Sequence, residues 1–263
     1  MKLKTTHLTF VTHGRQPIAP DEAGRRALVR VIIERAGRSL VCFCVVDEHV
    51  HVVFLSAPER TGILARALLF GIRGAASVPV HPAHVQPVVR RTHAEWLVTY
   101  VLTQTDHHGL REHAALWSGS CFADLVGARC VDGWVTSTIA AALPRWRMRS
   151  AYSAVGLPTV ELEPMDLASV RGAGAARVVA AVASALAVGP ELSGNAAGTA
   201  LARRAAAKLA AEAGIQAGEV AEVLGLTVDS ATRAAGRPVE ERVLRAARIR
   251  LSLEDAVARL SAR

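Results

Sequence analysis

Apolar residues follow two different rhythms along this chain. In the first part they come as short extended runs separated by helical stretches. A strand is expected over Leu3–Thr12 and a helix over Asp21–Ala36, followed by the long apolar run Leu40–Leu55. That run is rich in β-branched and aromatic side chains, the composition of one or two buried strands. A helix follows over Thr61–Gly74, then a strand around His84–Val89. The next helix spans Thr92–Thr105, where Trp96, Leu97, Tyr100, Val101 and Gln104 recur at helical spacing and Gly109 supplies a stop. The order β-α-β-β-α-β predicts an α+β fold built on a ferredoxin-like sheet with helices on one face. A short helical extension is expected over Asp132–Arg149.

The second rhythm is wholly helical. Gly156, Pro158 and Pro164 break periodicity between Tyr152 and Pro164, which reads as a linker. The division expected is a first domain over 1–150, a linker over 151–164 and an all-α domain over 165–263. Helices are expected over Gly172–Val188, Ala196–Ala213, Gly218–Leu224, Val228–Ala235 and Val239–Ala262, with Gly214 and Gly225 at helix ends. Within them, Ala217–Gly236 has the layout of a helix-turn-helix. Val220, Leu224 and Leu226 give it a packing face, and Thr227 is placed to cap a second helix that carries Arg233 outward. Ala231 and Ala234 stand where larger aliphatics usually anchor such a helix, so a plain helical hairpin is the alternative.

Charge sharpens this division. Residues 1–150 hold 18 basic against 11 acidic side chains, a surplus of seven, whereas residues 151–263 hold 13 against 12. All ten histidines precede residue 114. The titratable chemistry therefore belongs to the first part, and its basic surplus suits a polyanion. Only three of the 31 basic residues are lysine, so an Arg-rich compositional bias also contributes. Cys42, Cys44, Cys121 and Cys130 lack zinc-ribbon spacing; Cys42 and Cys44, flanking Phe43 on a strand, are expected as small core residues, and the compartment as a reducing one. The first residues run into a strand rather than an apolar leader, and the longest Ala/Val segment, Val178–Val188, is short for a bilayer span. A cytoplasmic, nucleoid-associated protein with no membrane partner is the expectation.

Four positions carry candidate chemistry. His49 and His51 are two apart on a strand, so both imidazoles project from one face while Val50 faces the other way. Such a pair can grip a divalent cation. Tyr100 and Gln104 are four apart and share a helix face. Taken singly, each feature has a plain alternative: a chance pair of half-buried histidines, and a core tyrosine with its hydroxyl satisfied.

Taken together, His7–Ile18, with its strand and basic turn, His49-Val50-His51, and Tyr100 with Gln104 one turn later resemble the single-tyrosine HUH transposases, including the REP-associated tyrosine transposases. Order and spacing agree over about the first 150 residues. The resemblance implies a ferredoxin-like HUH nuclease domain with Tyr100 as nucleophile and His49, His51 and Gln104 as ligands of Mg2+ or Mn2+; two imidazoles and an amide would accept zinc as well. It implies attack on a DNA phosphodiester, a 5′-phosphotyrosine link and rejoining of single-stranded or hairpin DNA, with a homodimer left open as the assembly. Arg15, Arg90 and Arg91, and Arg233 in the helical domain, are the candidate DNA contacts. Glu48 stands where members of the family usually carry asparagine, and a carboxylate there would add a ligand or disturb phosphate binding. A DNA-binding protein that keeps the fold without cleavage, and a metal hydrolase without covalent catalysis, are the other function classes.

Overall fold

The computed structural model describes residues 4–131, 139, 143, 146–158 and 162–262. The chain divides into two compact units, residues 1–125 with 132–160, and residues 126–131 with 161–263.

In the first unit, β1 (Lys4–Val11), β2 (Leu40–Val45), β3 (His49–Ser56) and β4 (His84–Val88) form one antiparallel sheet in the order β2-β3-β1-β4. Helix α1 (Glu22–Ala36) joins β1 to β2, and α2 (Pro58–Ala75) joins β3 to β4. The start of α1 is fixed by Asp21, whose carboxylate accepts from the Gly24 amide at 2.7 Å. The two central strands set the faces. Leu8 and Phe10 of β1 lie opposite Val52 and Val50 of β3, and all four are fully buried. Leu28, Ile32 and Ile33 of α1 and Leu68 and Ile72 of α2 are buried with them. Burial of each such side chain stabilises by roughly 1.5–3 kcal/mol.

The pleat turns His7 and Thr9 of β1 and His49 and His51 of β3 to the second face. Helices were expected on one face alone, but α3 (Arg91–Leu102) covers this one too, packing against β2 and β4 with Leu97, Val98, Val101 and Leu102 buried. An edge strand needs cover, and β2 obtains it from residues 119–121. The Val45 amide donates to Gly119 O at 2.9 Å and the Cys121 amide to Phe43 O at 3.1 Å. Trp117 Nε1 donates to Val45 O at 2.7 Å, with the Arg25 guanidinium 4.2 Å above its ring. Gly119 is obligatory for this approach, since a Cβ there would collide with Val45 O and lie 2.7 Å from Trp117 Nε1.

The helical extension expected over 132–149 falls largely outside the described residues. The segment expected as a linker, 151–164, is helical over its first residues. One-turn helices α4 (Gln104–His107) and α5 (Phe122–Leu125) are followed by α6 (Met148–Ala154), which buries Tyr152 edge-on against Phe122 at 5.7 Å.

The second unit contains α7 (Leu167–Ala185), α8 (Ala197–Ala213), α9 (Ala217–Leu224), α10 (Val228–Ala235) and α11 (Glu241–Ser261). Its core is built from Val170, Val178, Val182, Leu209 and Leu251 with fully buried alanines such as Ala205 and Ala247, whose small side chains let the helices approach closely. By length and composition α7 is apolar enough to cross a membrane. It is, however, broken at Gly174 (φ 81°), and most of the residues after the break are buried in this core. Helices α9 and α10 are joined by Gly225–Thr227, with Gly225 left-handed (φ 62°) and the Thr227 hydroxyl accepting from the Ser230 amide at 3.2 Å. Ala231, expected to be a weak anchor, is buried at 1% exposure.

Candidate active site

The second face of the sheet holds a cluster of imidazoles roofed by α3 and α4. His49 and His51 sit two apart on β3, and their Nε2 atoms are 2.8 Å from each other. His51 Nε2 is 3.2 Å from Gln104 Oε1. The helix carrying Tyr100 does not run on to Gln104, as the sequence suggests; it ends at Leu102, and Thr103 separates it from α4. This break has a consequence for the amide. Gln104 Nε2 donates to Tyr100 O at 3.1 Å, which turns Oε1 toward the histidines.

The strand register adds a residue that the sequence reading passed over. Thr9 lies opposite His51, so His7, two positions earlier on β1, shares its face. His7 Nε2 is 2.9 Å from His51 Nδ1, with Thr9 Oγ1 3.4 Å from each of the two, and His7 Nδ1 is 3.5 Å from Gln86 Oε1. With the His51 proton on Nδ1 donated to His7, His51 Nε2 presents a lone pair toward His49 and Gln104. A ring nitrogen held in this way is the usual outer support of a ligating histidine. The only signal for His7 in the sequence was its alternation with Thr9 on a strand whose partner could not be read locally.

Burial keeps these rings neutral. The His51 pKa is lowered to about 3, first by burial and then by the neighbouring His49 and His7, against a smaller opposing effect of Gln104. Burial also lowers His49, assisted by His108, whose ring centroid is 4.8 Å away, and it lowers His7. Neutral imidazole is the form that ligates metal. Among the described residues no group of three His, Cys, Asp or Glu side chains is placed to hold a metal ion. The third donor available is therefore the Gln104 carbonyl. Two ring nitrogens and one amide oxygen, the amide NH2 being engaged elsewhere, form a donor set that fits a divalent cation.

Tyr100 borders the cluster. Its ring lies 5.4 Å from that of His51 and is stacked on Trp96 at 4.9 Å and 16°. Trp96 is 57% exposed, an unusual position for an indole one turn from a candidate nucleophile. The Glu48 carboxylate is drawn toward Arg15, 3.4 Å from its Nη1, and the Thr12 amide and hydroxyl both donate to the Glu48 carbonyl. Arg90 and Arg91 sit at the exposed start of α3, where Arg91 pairs with Glu95 at 2.8 Å. Arg233 lies in the second unit, paired with Asp229 at 3.1 Å. The structure thus brings His49, His51, Gln104 and Tyr100 together with His7, His108 and Trp96, and leaves Arg90 and Arg91 on an exposed helix start.

No family model matches the chain, and no curated protein matches it. A solved structure of a REP-associated tyrosine transposase bound to a REP hairpin is similar over 45% of this chain and 76% of that chain, at 16% identity and a TM-score of 0.37.

Proposed function

We propose that the first unit is a metal-dependent nuclease and strand transferase acting on single-stranded or hairpin DNA, with Tyr100 as its nucleophile. The observation that carries the reading is the convergence of His49 Nε2, His51 Nε2 and Gln104 Oε1, each within 3.2 Å of a neighbour in the set, beside the Tyr100 ring. Further support comes from the β-α-β-β-α-β element order on one four-stranded antiparallel sheet, the order expected of a ferredoxin-like nuclease domain. The basic surplus of the first 150 residues suits a polyanionic substrate.

His49, His51 and Gln104 would hold Mg2+ or Mn2+, and the ion would polarise a non-bridging phosphate oxygen. The remaining work falls to the chain. His7 fixes the proton of His51 on Nδ1, and Gln104 ties the ligand set to the backbone of Tyr100. The tyrosine oxygen attacks phosphorus, its proton leaves to water, and the bond to the 3′-oxygen breaks. The products are a 5′-phosphotyrosine and a strand ending in a 3′-hydroxyl, which takes up a proton. The phosphodiester is conserved in the link, so another 3′-hydroxyl can reverse the step without an external energy source. A flexible strand can reach the in-line pose, whereas stacked duplex resists the distortion.

The helical unit would add recognition, with α9 and α10 as a helix-turn-helix. The reading is tested by incubating the protein with hairpin-bearing single-stranded DNA and Mn2+ and resolving the products on denaturing gels. A covalent protein–DNA species that chelator prevents and perfect duplex does not yield is expected. Equal cutting of perfect duplex, or cutting indifferent to chelator, would refute it.

A further inference from the structure

Within the helical unit, α8, α10 and the turns beside them border an open cleft of about 650 Å3. Its polar lining carries one sign of charge. Arg203 and Arg204 enter from α8, Arg233 from α10 and Arg237 from the turn beyond, joined by Asn195 and Ser230, with no carboxylate among the lining residues. Packing of α8 against α10 brings together arginines some thirty positions apart in sequence. The sequence alone marked only Arg233.

The partners of these guanidinium groups leave donors over. Arg204 Nε is buried and has no hydrogen-bond partner among the described residues, a state rare for a buried donor in a folded protein. Arg203 donates Nη1 to Leu192 O at 3.0 Å, one of the five N–H donors a guanidinium carries. Arg233 pairs with Asp229, but both side chains are 70% or more exposed, and so solvated a pair contributes little and is readily exchanged. Arg237 is exposed and in no ion pair among the described residues. Guanidinium offers a planar fork that matches phosphate oxygens two at a time.

We propose that this cleft binds a ligand with at least two phosphate groups, held by Arg203, Arg204, Arg233 and Arg237. The volume falls in the range of sites that accept a whole small molecule, more room than one phosphate needs. Adjacent phosphates of a nucleic-acid strand and the polyphosphate of a free nucleotide share this chemistry. The assignment holds whether or not Tyr100 cuts DNA.

The test uses the full chain in EDTA, so strand cutting plays no part. Tripolyphosphate binding is measured by calorimetry, and binding of short fluorescein-labelled single-stranded and duplex DNA by anisotropy over a range of salt. Arg204→Ala and Arg237→Ala should each weaken binding roughly tenfold, Arg204→Lys by less, and Arg259→Ala, an exposed charge on α11, by less than twofold. Loss of DNA affinity with a shallower salt slope, and displacement of DNA by tripolyphosphate, assign the cleft to a strand. Tight tripolyphosphate binding with DNA affinity unchanged in the cleft variants assigns it to a free polyphosphate. Should Arg204→Ala fail to fold, the exposed Arg237 decides alone. Binding of neither probe, or losses no larger than that of Arg259→Ala, overturns the proposal.

Discussion

Acidifying the metal-free protein should destabilise the first unit through its imidazole cluster. His51 is 4% exposed, and its pKa is held at about 3, mainly by burial. In the unfolded chain the same ring titrates near 6.5. Between these values the unfolded state takes a proton that the folded state refuses, so stability falls as pH falls. Above about pH 6.5 the ring is neutral in both states and costs nothing. Below it each pH unit removes about 1.4 kcal/mol, so His51 alone accounts for about 2 kcal/mol at pH 5, and the loss levels off near pH 3. His7 and His49 are lowered as well and act with the same sign. Urea unfolding in EDTA, followed by tryptophan fluorescence at about pH 7 and about pH 5, measures this. All four tryptophans lie at or before residue 146, so the signal reports the first unit. His51→Gln, which cannot titrate, should show about 2 kcal/mol less loss between the two pH values than the wild type. Equal losses in both proteins would refute a buried, neutral His51.

Other expectations concern the same unit. His49→Ala and His51→Ala should each abolish Mn2+-dependent adduct formation, while Gln104→Ala should reduce it less, because an amide is the more replaceable ligand; gel quantification over a Mn2+ titration ranks them. Trp96→Ala should slow adduct formation with little change in the urea midpoint, since its exposed indole stacks on Tyr100 rather than filling the core. Gly119→Ala should cost roughly 2 kcal/mol, read from the same urea curves, because its methyl group has no room beside Val45 O and Trp117.

Local patterning made much of this fold legible. The β-branched run at Leu40–Leu55 is the β2–β3 hairpin, and Val228–Ala235 is a helix with the bounds its periodicity suggested. Period-two geometry placed His49 and His51 on one face, where the structure has them. What escaped depends on partners distant in the chain. His7 joins the site only through the β1–β3 register, and the edge cover at 119–121 is set by pairing with β2, some 75 residues away. Tyr152 lies among glycines and prolines that read as a linker, yet contact with Phe122 holds it in a helix. The break at Thr103 was invisible because Gln104 keeps the i+4 spacing across it, although its amide, not its backbone, caps the carbonyl of Tyr100. The arginine cleft is a product of helix packing in the same sense.

In the proposed reaction Tyr100 forms the covalent link to DNA. Tyr100 and Tyr152 are the chain's two tyrosines, and Tyr152 is buried against Phe122. The most direct measurement is mass spectrometry of the protein after reaction with hairpin-bearing single-stranded DNA and Mn2+, nuclease trimming and proteolysis. A 5′-nucleotide phosphate attached to the peptide containing Tyr100, and absent from Tyr100→Phe, is the predicted result. A modified peptide elsewhere, or an adduct that persists in Tyr100→Phe, would rule out Tyr100 as the nucleophile.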